Sequence, residues 1–215
     1  MQAACPLVAL AFALLVASCA SSGGGGAAGS GGAPGTGGAA GGGTTIVHGA
    51  ACDLEMALQP IEGHQHVAVC SPVTYGSNPP SSGNHYPIWA AYKTYGAPIP
   101  RGFAVHDLEH GAIVVTYNCA DGCAADVAAI AAWADALPDD HACVATPIKR
   151  RLVIAPDPLL DVKFAAAAWG ATLRAPCFDA AAFTDFYRSH IGQGPEIVCG
   201  DGVDLVAMPP AAGCP

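Results

Sequence analysis

Eight of the ten cysteines lie beyond residue 50, at Cys52, Cys70, Cys119, Cys123, Cys143, Cys177, Cys199 and Cys214. They constrain the fold more than any other feature. An even set of thiols without paired C-x-x-C spacing does not suit a zinc ribbon. In an oxidising compartment it reads as four disulfides, although spacing alone leaves about a hundred pairings open. The expectation is therefore a domain whose core is cross-linked by its own chain.

The N-terminal residues point to such a compartment. Leu7 to Ala17 is an apolar stretch too short to span a bilayer, but of the length of an export-signal core. Val16-Ala17-Ser18-Cys19 follows at once and resembles the lipobox of bacterial lipoproteins, in which the cysteine becomes the acylated first residue. Met1 to Pro6 departs from that pattern in carrying no Lys or Arg. From Ala20 the chain is almost entirely Gly, Ala and Ser, which cannot offset the cost of ordering a backbone. The expected organisation is a signal peptide over 1–18, a flexible tether over 19–45 and one globular domain over 46–215. Localisation follows as exported and lipid-anchored to the bacterial cell envelope, with membrane lipid as the partner of Cys19.

Hydrophobic residues make up 52% of the sequence, yet Ala supplies much of that share, so the figure does not imply a membrane span. The formal charge is −9, and eight Lys and Arg are too few for a nucleic-acid groove. A protein partner is not legible.

The folded part reads as α+β, a small mixed or antiparallel sheet with two helices on one side, stapled by disulfides. Ala112 to Tyr117 and Arg151 to Ala155 are β-branched runs expected as strands, and Val162 to Leu173 is expected as a third. Ala124 to Leu137 has helical spacing and stops at Pro138. Phe178 to His190 is a second helix, with Asp179 as its cap and Gly192 beyond its end. Val73 to Gly102 is rich in Pro, Gly and Ser without a period, and irregular stretches of that length are usually functional or pinned by packing.

The chemistry concentrates in His106-Asp107-Leu108-Glu109-His110. On a helical turn His106 and His110 share a face with Cβ atoms roughly 5–6 Å apart, whereas on a strand they would stand about 13 Å apart. Chelation by both therefore demands a helical turn. The spacing also matches H-x-x-E-H, the inverted zinc-protease motif in which Glu109 would be the catalytic base. The prolines before it and the strand after it leave little room for that longer helix. His64 and His66 would face one side of a strand, and His85 ends the Pro-rich loop.

Pro79-Pro80-Ser81-Ser82-Gly83-Asn84-His85-Tyr86, His106-Asp107-Leu108-Glu109-His110-Gly111, Ala168-Trp169-Gly170 and Gly194-Pro195-Glu196, in that order, resemble the bacterial "domain of unknown function" family 3105. The resemblance covers about residues 61–197. It implies that His85, His106, Glu109 and His110 fall on the family's polar positions and that His66 matches an upstream G-x-x-H. Ser81, Asn84 and Asp107 stand where the family pattern has Thr, Pro and Asn. No reaction is implied.

Three functions follow as expectations. The first is an extracytoplasmic domain binding zinc or copper through His66, His85, His106, Glu109 and His110. The second is a structural or partner-binding envelope module in which the His/Glu corner only braces the loop. The third is a metal-dependent hydrolase with Glu109 as base.

Overall fold

A computed structural model describes residues 43–120, 122–206 and 214. The expected signal peptide, Cys19 and nearly all of the tether lie outside the described residues. Among the described residues, six strands and three helices run in the order β1 (Thr44–His48), β2 (Asp53–Leu58), α1 (Arg101–Glu109), β3 (Ile113–Tyr117), α2 (Ala124–Ala136), β4 (Leu152–Pro156), β5 (Phe164–Ala168), β6 (Ala171–Ala175) and α3 (Ala180–His190). The strands form one mixed sheet in the order β1-β2-β6-β5-β3-β4. Only β3 and β4 pair in parallel, and α2 lies on the crossover that parallel pairing requires.

Period-two alternation assigns the two faces. Ile113, Val115, Leu152, Ile154, Ala166 and Leu173 pack with Ile130 and Trp133 of α2 and with Phe183, Phe186 and Tyr187 of α3. Val114, Val153, Ala155 and Ala167 point the other way and meet Phe103 and Leu108 of α1. The fold is α+β, with the two anticipated helices on one face as expected. The third helix, α1, covers the opposite face and carries the histidine motif.

Two local readings differ from expectation. The single strand anticipated over residues 162–173 is a hairpin of β5 and β6, paired antiparallel from Phe164↔Ala175 to Ala168↔Ala171. Its two-residue turn, Trp169-Gly170, places Gly170 at φ +71°, a left-handed conformation that favours glycine. The alanine run conceals that break because it is buried on both faces and shows no alternation. The sheet also gains β1 and β2, with β2 antiparallel to β6.

Four disulfides join Cys52 to Cys177, Cys70 to Cys214, Cys119 to Cys123 and Cys143 to Cys199. Asp179 caps α3 by accepting from the backbone N–H groups of Ala181 and Ala182, while its other oxygen accepts from Ala50. No helix among the described residues is long and apolar enough to cross a membrane.

The Pro-rich stretch is pinned rather than loose. His66 and His85 form a parallel bridge, as do Ala90 with Val203 and Thr94 with Ile154. Arg101 reaches from the start of α1 to Asp157 Oδ2 at 2.8 Å and to Asn78 Oδ1 at 2.7 Å, tying the loop to β4 and its exit.

Candidate metal centre

Helix α1 delivers His106 and Glu109 to one side, and His110 follows as its C-cap residue. The helical turn demanded for His106 and His110 is therefore present: their Nε2 atoms stand 3.1 Å apart. The loop contributes His85, and the bridge at His66↔His85 sets His66 beside it. The ligand atoms of His66, His85, His106 and Glu109 all lie within 4.8 Å of one another, in a group capable of holding a metal ion. Ring centroids of His66, His85 and His106 are 4.7–5.0 Å apart.

The rings are oriented from behind. His85 Nδ1 lies 2.9 Å from the Gly83 carbonyl, and His106 Nδ1 lies 2.6 Å from the Tyr86 carbonyl. A carbonyl only accepts, so each Nδ1 carries the proton and donates it. Each Nε2 faces the cluster and presents a lone pair there when the ring is neutral. Bracing of the outer nitrogen is the usual way a protein fixes the tautomer of a ligating imidazole.

Facing these nitrogens is Glu109, whose side chain is 4% exposed. Its Oε2 sits 2.9 Å from His85 Nε2 and 3.9 Å from His66 Nε2, and its Oε1 sits 3.8 Å from His64 Nδ1. Among the described residues its ion-pair partners are all histidines, with no Lys or Arg to offset a buried carboxylate.

Burial disfavours the charged forms of His106 and His110. It pushes His106 down to about 3, against a smaller opposing effect of its hydrogen bond to Tyr86, and neighbouring His110, His85 and His66 add to the depression. Burial also lowers His110, where Glu196 opposes it. Asp107 points away from the cluster and accepts from the Ala90 N–H at 3.3 Å. Complete burial raises its carboxyl well above the usual carboxylate range.

All five residues anticipated as ligands thus gather at one corner, with His110 at the edge of the group rather than inside it. His64, paired with His66 in the sequence, reaches only the rim of the group at Glu109 Oε1, and reading the sequence missed Glu196 as a member. Glu196 Oε2 lies 3.6 Å from His110 Nε2, and its side chain is 60% exposed. Its sequence signal was the Gly194-Pro195-Glu196 motif. Gly194 packs so tightly on the end of α1 that a Cβ there would collide with the Glu109 carbonyl and the Gly111 N–H. Trp89 flanks the two helix histidines, its ring 4.5 Å from that of His110 and 5.3 Å from that of His106.

Arg151, read in the sequence only as the start of a strand, is fully buried. Its Nε donates to Asp140 Oδ2 at 2.6 Å and its Nη1 donates to the His110 carbonyl. It fixes the chain where the helix turns into β3.

No curated protein and no solved structure matches the chain. A family described as "Protein of unknown function (DUF3105)" matches residues 66–200, a span that runs from His66 past Glu196 and includes every residue of the cluster except His64. The chain belongs to the DUF3105 family.

Proposed function

We propose that this chain is an extracytoplasmic domain that binds a transition metal ion, Zn²⁺ or copper, through His66, His85, His106 and Glu109. One observation carries the reading. His85 donates through Nδ1, so in the neutral ring its Nε2 presents a lone pair, and 2.9 Å away stands an oxygen of buried Glu109. Two acceptors at that distance repel unless a proton or a cation lies between them. Two further imidazole nitrogens aimed into the same space favour the cation, and three nitrogens with one carboxylate oxygen make a four-coordinate set suited to zinc. The same donors suit copper.

Four disulfides fit a chain that matures where thiols oxidise. On this reading acylated Cys19 anchors the domain to membrane lipid of the envelope. Fatty-acid labelling that persists in Cys19→Ser would refute the anchor. A hydrolytic role asks Glu109 to stand off the ion as a base, whereas its 2.9 Å distance from His85 Nε2 favours a ligand role.

The test is metal content. The purified chain, stripped with a chelator, reloaded with Zn²⁺ and desalted, is expected to retain zinc, and its thermal midpoint is expected to rise on loading. His85→Ala should lose both the zinc and the rise. A purely structural corner predicts the opposite pattern: no retained ion, and a His85→Ala penalty of equal size in chelator and in zinc.

A further inference from the structure

We infer that the corner holds two metal ions bridged by Glu109, the second bound by His110 and Glu196. This rests on the metal-binding reading above and extends it to two residues with no role in that reading.

The donors outnumber what one ion can use. Six side chains converge, and they separate into two groups that have only Glu109 in common: His66, His85, His106 and Glu109 in one, Glu109, His110 and Glu196 in the other. Four-coordinate zinc is filled by the first group alone. Yet His110 is buried, and its Nε2 stands 3.1 Å from His106 Nε2 and 3.6 Å from Glu196 Oε2. A carboxylate with two oxygens is the natural bridge, and paired metal sites sit about 3.5–4 Å apart.

Glu196 is brought to this place by the fold and not by chance exposure. Its backbone N–H donates to the Glu109 carbonyl at 3.0 Å, and the Gly192 N–H donates to the Gly111 carbonyl at 2.8 Å. Cys199, three residues on, is bonded to Cys143. The side chain leans over His110 from the solvent side. The second ion would therefore be the accessible one, with solvent completing its shell.

Zinc counted by mass spectrometry after equilibrium dialysis of the stripped full chain is expected to give two ions per chain, falling to one in Glu196→Gln. Loaded with Cu²⁺, the wild-type chain should give the half-field paramagnetic resonance signal of a coupled pair, and Glu196→Gln the signal of an isolated ion. The substituted side chain is largely exposed, so Glu196→Gln should match the wild type in thermal midpoint in chelator. One ion in both chains overturns the second site and leaves the first standing. Two ions retained by Glu196→Gln, still coupled, overturn the role given to Glu196. No retained ion in either chain overturns the metal reading itself.

Discussion

Replacing Arg151 by Met is expected to lower the unfolding free energy by about 3–5 kcal/mol, because it leaves the Asp140 carboxylate buried without its counter-charge. Both side chains are fully buried, and Nε to Oδ2 is 2.6 Å. Urea unfolding at neutral pH, with disulfides intact, measures the loss. Removing both charges with Arg151→Met and Asp140→Leu should recover most of it, since a buried ion pair is often no better than an apolar pair of similar volume. The double variant still lacks the Nη1 donor to the His110 carbonyl. Its zinc affinity should therefore stay below that of the wild type even when its stability returns. A single variant as stable as the wild type would mean that the pair does not brace the end of α1.

The disulfides should differ widely in worth. Cys52–Cys177 bridges a sequence separation of 125 and fastens the start of β2 to the segment before α3. In the chain-entropy account, closing a loop of that length is worth about 5 kcal/mol, whereas Cys119–Cys123, with a separation of 4, is worth about 2 kcal/mol. Paired Cys→Ser substitutions compared by denaturant unfolding should reproduce that order. Equal losses would show that local strain or residual structure in the unfolded chain outweighs loop length.

The parts of the fold legible in the sequence are those with a period. Val127, Ile130 and Trp133 mark α2, Phe183, Phe186 and Tyr187 mark α3, and the β-branched runs mark β3 and β4. The hairpin of β5 and β6 was not legible, because alanines buried on both faces carry no alternation and only Gly170 betrays the turn. β1 is mostly exposed and lacks the apolar alternation that identifies a strand, whereas β2 has it in Leu54, Met56 and Leu58, a signal the sequence reading passed over. The candidate ligands stand out by type, and the four-residue step from His106 to His110 foretold the helical turn. What the spacing cannot reveal is which distant loops reach that turn. His66 and His85 arrive through a two-residue bridge between irregular segments, and only an ordered set of motifs suggested it. Arg151 is the opposite case: a cation beside Lys149 and Arg150 looks solvated, and its burial depends on Asp140 eleven residues earlier.

X-ray absorption at the zinc edge of the loaded chain tests the central claim most directly. A metal held by His66, His85, His106 and Glu109 predicts a first shell of nitrogen and oxygen at about 2.0–2.1 Å with the outer-shell scattering of several imidazoles, diminished in His85→Ala. A six-oxygen shell without imidazole scattering, unchanged by that substitution, would contradict it.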